Sequence, residues 1–326
     1  MKESVFMLDV VTLGEVMVQL NPITTGPLRH VTYFEKHAAG SEANFAIGVV
    51  RLGFKAGLIT RVGNDEFGKY ILSVLRGEGV DTSLVKVDND APTGVYFIQR
   101  GYPIPGKSSV IYYRRGSAAS KMSPEDIDEE YIRNSKLLHL TGITPALSDS
   151  CREATFKALS IASESRVMTS LDTNIRLKLW SKDEARETLL SMIKKVNILL
   201  TEPADAKILV GEEDPHKIID KILSIGPDII AIKLGEKGAI ASDGKETIMK
   251  LGFKVPVVDV IGAGDAFAAG FIASILKGKN LEEALTYGNA AGALVVTTRG
   301  DIENLPSQED IEKFLAFQRR ETVILR

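Results

Sequence analysis

The stretch VIGAGDAFAAG, Val260 to Gly270, crowds small residues around a single acid and follows that acid with an apolar run. Just before it, KVPVVD at Lys254 to Asp259 reads as a strand. Just after, Ala266 to Leu276 keeps small and apolar residues at helical spacing. Gly262-Ala263-Gly264 therefore falls where a strand turns into a helix. Such a turn aims free backbone N–H groups outward at the positive end of the helix dipole, which suits a phosphate or a developing oxyanion. Small side chains let that charge come close. Asp265 then sits in the first helical turn, where a carboxylate can accept a proton from a hydroxyl while the N–H groups steady a transferring phosphate. The plain alternative is a tight turn with an acidic helix start.

Outward from this turn, short β-branched runs alternate with amphipathic helical stretches, the pattern of parallel strands joined by crossover helices. Strands are expected near Val10 to Leu13, Leu58 to Val62, Leu137 to Thr141, Met168 to Asp172, Ile198 to Thr201 and Ile229 to Lys233. Glu66 to Gly79 reads as a helix with Ile71, Val74 and Leu75 as its apolar stripe. The pattern changes between Pro92 and Gly116. There TGVYFIQRG and SSVIYYRRG alternate around YPIPGK, a turn rich in Pro and Gly, which predicts a β-hairpin. An antiparallel insertion in a parallel α/β chain serves as a lid or an oligomer surface. No linker, repeat or low-complexity tract interrupts the chain, so one large α/β domain over residues 1–326 carrying a small β lid is expected.

Composition narrows the partners. The 326 residues carry a net charge of -3, which gives no global basic field for nucleic acid or an anionic membrane surface. One cysteine, Cys151, excludes an intrachain disulfide, and His30, His37, His139 and His216 have no metal-ligand spacing. MKESVFMLDVVTLGE alternates charge and apolar character too soon for a signal peptide, and no run approaches the roughly 18 apolar residues of a membrane helix. The expectation is a cytoplasmic, soluble protein.

A second glycine cluster runs from Ala38 to Gly68, AAGSEANFAIGVVRLGFKAGLITRVGNDEFG. Here the chain resembles the ribokinase-like, or PfkB, carbohydrate kinase family. Gly40, Asn44, Ala46, Gly53 and Gly63 match its N-terminal signature, and Asp259 with Gly262 to Asp265 match its C-terminal one. Ser41 stands where the second Gly of the first signature is usual, and Val260 where a Thr commonly follows the first acid. Within the family, GPLRHVTYFEKHAAGSEANF, TGVYFIQRGYPIPGKS, IYYRRGSA and LDTNIRLKLW are similar over long runs to the archaeal type of 2-keto-3-deoxygluconate kinase.

That resemblance implies a three-layer fold with a mostly parallel central sheet, and a lid drawn from about residues 14–38 and 92–116. It implies that ATP, with Mg²⁺, phosphorylates a small sugar acid. Gly40, Ser41 and Asn44 would contact sugar hydroxyls, with Tyr96, Tyr112 and Arg114 reaching in from the lid hairpin. Arg176 would hold the carboxylate, which suits the planar fork of a guanidinium. Asp301 would contact the substrate and Asp265 would be the catalytic base. Asn174, Lys233, Gly235, Glu236, Gly238 and Asn289 would border the nucleotide, with Gly262, Ala263 and Gly264 as the anion site. Glu202 and Asp205 offer oxygen ligands for a metal. Plainer readings stand beside these: Asn44 as a helix cap, Tyr113 on a half-buried hairpin face, Arg176 as a surface charge, KLGEKG as an ordinary hairpin turn. A neutral sugar or nucleoside acceptor, or a sugar-acid sensor without chemistry, are the functional alternatives. A homo-oligomer is expected.

Overall fold

The computed structural model describes residues 8–324, with side chains through Arg319. Thirteen strands follow in chain order among these residues. The first seven are β1 (Leu8–Leu13), β2 (Met17–Pro22), β3 (Phe34–Ala39), β4 (Ala56–Gly63), β5 (Val85–Asp88), β6 (Val95–Arg100) and β7 (Ser108–Tyr113). They continue with β8 (Ser135–Thr141), β9 (Met168–Asp172), β10 (Ile198–Thr201), β11 (Ile229–Lys233), β12 (Ala239–Ser242) and β13 (Thr247–Lys250). The helices are α1 (Ser41–Arg51), α2 (Glu66–Gly77), α3 (Glu129–Arg133), α4 (Asp149–Glu164) and α5 (Lys182–Ile193). Then come α6 (Pro203–Val210), α7 (Pro215–Leu223), α8 (Ala263–Leu276), α9 (Leu281–Val295) and α10 (Gln308–Ile324). None of them is long and apolar enough to cross a membrane.

A large sheet in the order β13-β12-β11-β10-β9-β8-β1-β4-β5 forms the middle layer. It is parallel from β5 through β11 and closes with the antiparallel strands β12 and β13. Successive residues of one strand feed opposite cores, as burial on both faces of a parallel sheet demands. Val10, Leu58, Leu137 and Leu200 join the side covered by α1, α2, α8, α9 and α10. Val11, Ile59, Leu138 and Leu199 join the side covered by α3 to α7. This is the three-layer α/β fold expected, and all six expected strands belong to it.

The small sheet is β3-β2-β6-β7. Two antiparallel hairpins meet through a parallel β2–β6 pair. The hairpin read from Pro92 to Gly116 is β6 and β7; its partner hairpin is β2 and β3, which together span Met17 to Ala39.

One expected element is absent. Lys254 to Asp259 forms no strand: residues 251–260 run irregularly, and Val257, Val258 and Val260 are exposed. Pro256 lacks a ladder donor, and the N–H groups of Val258 and Asp259 are given to the carbonyl of Val296, at 2.8 and 3.2 Å. Val255 packs against the core but Val257 and Val258 do not, so periodicity misled.

The small residues after Asp265 have a packing cause. Helix α8 is wedged between α1 and α9, and a Cβ at Gly270 would lie 2.8 Å from the Tyr287 carbonyl oxygen. At Gly288 a Cβ would meet the Phe267 ring at 2.9 Å, and at Gly48 the Cβ of Ala269 at 2.7 Å. Gly270→Ala should therefore cost about 1–3 kcal/mol of stability through overpacking. Urea denaturation checks this, and an unchanged midpoint would mean that the two helices separate freely.

Candidate active site

From β1 the chain steps to β4 on one side, while β8 pairs on the other, so the order of strands reverses at β1. In open α/β sheets the carboxyl ends of the strands beside such a point form the ligand crevice. A cavity of about 350 Å³ opens there, roofed by the small sheet. Its wall takes Glu15 from the end of β1, Asn174 from the end of β9, Glu202 from the end of β10 and Lys233 from β11.

Two helix N-termini converge on it. Gly40, at φ 150°, caps α1, and a Cβ there would lie 2.4 Å from the Glu15 carbonyl oxygen. Gly262, at φ 78°, caps α8 and lies against Asp301, where a Cβ would meet Oδ1 at 2.8 Å. Both positions need glycine. The first turn of α8 leaves N–H groups without intrahelical partners, and beside them stands Asp265.

Asp265 is held from two directions. Ser41 Oγ donates to its Oδ1 at 2.6 Å and Asn44 Nδ2 to its Oδ2 at 2.7 Å. Asn44 Nδ2 also donates to Asp301 Oδ1 at 2.7 Å. The Asn44 side chain thus bridges two carboxylates and caps nothing; its Oδ1 is buried without a partner. Tyr96 donates its hydroxyl to Asp301 Oδ2 at 3.1 Å and accepts from Gln19 Nε2 at 2.7 Å. Asn174, in left-handed backbone at φ 34°, donates to Ser41 Oγ at 2.9 Å.

These contacts separate the two acids electrostatically. Burial, then the nearby charge of Asp265, raises the Asp301 pKa well above the usual carboxylate range against the hydrogen bonds of Tyr96 and Asn44. Burial also raises Asp265, but Ser41, Asn44 and Lys233 pull it back. Both carboxyls are pushed upward, Asp301 the further of the two. Lys233 Nζ donates to both oxygens of Asp172, at 2.9 and 2.7 Å, and stands 3.8 Å from Glu202.

On the lid side, Tyr96, Tyr112 and Arg114 line the cavity, whereas Tyr113 is exposed and packs edge-on to Phe97. Arg114 does not face the cavity as a free cation. Its Nε donates to Glu15 Oε2 at 2.6 Å and its Nη2 pairs with the same oxygen, while Ser117 donates to Oε1. Arg176 is exposed at the cavity wall.

The residues assigned to the nucleotide divide. Asn174, Lys233, Gly262 and Gly264 line the cavity; Gly235, Glu236, Gly238 and Asn289 do not. Asn289 Nδ2 donates to the carbonyls of Lys250 and Leu251, at 3.1 and 3.3 Å, and so braces the end of β13. A Cβ at Gly238 would collide with the Lys250 carbonyl oxygen at 2.0 Å. Of the metal candidates, Glu202 lines the cavity, while Asp205 Oδ2 accepts from Thr173 Oγ1 at 2.7 Å and from the Ile175 N–H at 3.1 Å, holding the loop that carries Arg176. Among the described residues no group of three or more His, Cys, Asp or Glu side chains is arranged to hold an ion.

Sequence reasoning missed Glu15, Glu42, Asp172 and Gln19. Glu15 and Asp172 sit at carboxyl ends of strands beside residues already singled out, which is the signal that could have found them. Glu42 is buried with its Oε1 accepting from Thr141 and Thr144, both at 2.6 Å.

Two buried carboxylates, a helix N-terminus and a lysine thus meet under the small sheet. Residues 7–308 match the pfkB family carbohydrate kinase model, and the chain belongs to that family. It is 47% identical to the 2-dehydro-3-deoxygluconokinase of Thermoproteus tenax, over 95% of this chain and 94% of that one. It is 31% identical to the 2-dehydro-3-deoxygalactonokinase of Haloferax volcanii, over 94% and 96%. Among solved structures, a putative ribokinase II from E. coli in complex with ATP and Mg²⁺ superposes with a TM-score of 0.89 at 29% identity, covering 95% of this chain and 99% of that one. The protein is a carbohydrate kinase.

Burial raises the Glu42 pKa from 4.5 to about 7 against its threonine hydrogen bonds. The folded state then binds the proton more tightly than the unfolded one, so this group favours folding most below pH 4.5, and that benefit is lost as pH rises through 7. From Glu42 alone, the loss between pH 4.5 and 8 is on the order of 3 kcal/mol. Glu42→Gln should flatten that slope in denaturation series run at pH 5 and 8; an unaltered slope would mean that Glu42 titrates normally.

Proposed function

We propose that the protein transfers the γ-phosphoryl group of ATP to the terminal hydroxyl of 2-keto-3-deoxygluconate, giving 2-keto-3-deoxy-6-phosphogluconate, and that it accepts the galactonate epimer. The observation that carries this reading is Asp265, held by Ser41 and Asn44 at the N-terminus of α8. The acceptor hydroxyl lies between Asp265 and the first turn of α8. Asp265 draws its proton as the oxygen attacks phosphorus in line, and the backbone of Gly262, Ala263 and Gly264 takes up charge on the transferring group. Asp301, oriented by Asn44 and Tyr96, contacts a sugar hydroxyl, and the unpartnered Asn44 Oδ1 accepts from another. Gly40, Ser41, Tyr96 and Tyr112 complete the sugar contacts.

Lys233 and Asn174 face the nucleotide phosphates, with Gly235, Glu236, Gly238 and Asn289 framing the base side. Mg²⁺ would be brought by the nucleotide and would lower the charge on its phosphates, with Glu202 the lining carboxylate that would face its hydration shell.

Arg176 takes the substrate carboxylate, since its fork is free while that of Arg114 is turned to Glu15. The same Glu15 contact favours a second reading, a neutral acceptor, because it cancels one of the two cations. The apolar outer face of the lid, with Tyr113 and Ile111 exposed, is suited to a second copy of the chain in a homo-oligomer, which light scattering tests.

Turnover with ATP and Mg²⁺ across keto-deoxy sugar acids, their lactones and neutral hexoses decides the acceptor. Activity confined to the acids is expected, and Arg176→Ala should raise the KM for the acid about tenfold or more and leave that for ATP nearly unchanged. Equal turnover of neutral acceptors would make the second reading the better one. Asp265→Asn should lower kcat by about 10²–10⁴ with both KM values changed far less. Near-normal turnover would refute the base assignment.

A further inference from the structure

Lid strand β6 buries alternate side chains, Tyr96, Ile98 and Arg100. Tyr96 ends on Asp301, at the acceptor end of the site. Four residues on, about 13 Å along the strand, Arg100 Nη2 pairs with Asp259, three residues before Gly262. Arg100 Nε donates to Asn21 Oδ1 at 2.8 Å, and Gln19, next to Asn21 on the same face of β2, donates to the Tyr96 hydroxyl. Asp259 uses its other oxygen to accept the N–H of Ile261 at 3.3 Å. Ile261 in turn packs on the lid cluster of Met17, Ala39, Tyr96 and Ile98. Arg100 and Asp259 are only 8% and 5% exposed, and neither lines the cavity. A buried ion pair is costly to desolvate and is no better for stability than a packed apolar pair, so its use between the lid and this turn calls for a role in placement.

We propose that Arg100 is a positioning residue: through Asp259 it makes the seating of β6 over the acceptor and the shape of the Ile261–Gly264 turn one event. This rests on the reading of that turn as the phosphate-side anion site. A lid lifted from the body then leaves the anion site unformed, so water reaching the nucleotide in the open state meets a poor catalyst.

Hydrogen exchange in the unliganded protein tests the proposal without relying on turnover. A peptide covering residues 259–264 is expected to exchange about tenfold faster in Arg100→Met, and to recover most of its protection in Arg100→Lys, which keeps the charge. A peptide covering β8 should be unchanged in both and checks that the fold is intact. In steady state, kcat of Arg100→Met should fall about tenfold or more, with the KM for the sugar acid moving less than about threefold. Unchanged exchange over 259–264 in Arg100→Met overturns the proposal whatever the turnover. If that variant fails to fold, Asp259→Asn carries the comparison, with faster exchange supporting the proposal and wild-type exchange overturning it. A wild type that phosphorylates none of the acceptors would sink the kinase reading alone, and the exchange result would still decide the role of Arg100.

Discussion

One primary amide holds the site together. Asn44 Nδ2 has two N–H donors and gives one to Asp265 and the other to Asp301, side chains that come from α8 and from the loop after α9. Two carboxylates this close cannot both ionise cheaply. Burial raises both pKa values, that of Asp301 the more, while hydrogen bonds from Ser41 and Asn44 favour the charged form of Asp265. Tyr96, Gln19 and Asn174 then act on a geometry that Asn44 has already set.

Around this centre charges are paired before any ligand arrives. Lys233 is matched by Asp172, and Arg114 by Glu15. These two pairs cancel, and an incoming nucleotide or sugar acid meets donors that are already oriented. Preorganised dipoles of this kind cost no rearrangement at the moment of reaction. Arg176, exposed on its loop, is the exception among the cavity's cations.

Much of this was legible in the sequence. The leucine-rich runs at Leu137 to Thr141 and Ile198 to Thr201 announce buried parallel strands, because strands covered on both faces read as largely apolar segments. The Gly262 to Asp265 turn is legible because glycine and acid types are dictated there by backbone shape and by chemistry together. The strand expected at Lys254 to Asp259 failed since a period of two records alternation and not whether a core lies behind it; Val257 and Val258 face solvent. Asn44 also allowed the plainer reading of a helix cap, and only its partners, 221 and 257 residues away in the chain, separate the two roles. Glu15 and Asp172 were hidden for the same reason, since an acid at a strand end looks alike whether it faces water or a buried cation.

The glycine seam along α8 bears on how such a chain can diverge. Gly48, Gly270 and Gly288 lock the helix carrying Asp265 between its neighbours with no room for a methyl group. Drift in that seam shifts Asp265 itself, so the start of α8 is inherited as one indivisible block. Tyr112, Arg114 and Arg176 lie on hairpin and loop instead, where exchange of a side chain leaves both cores untouched. The architecture thus separates what can vary, the shape and charge of the acceptor, from what cannot, and a lineage built on it can change its sugar without reinventing its reaction.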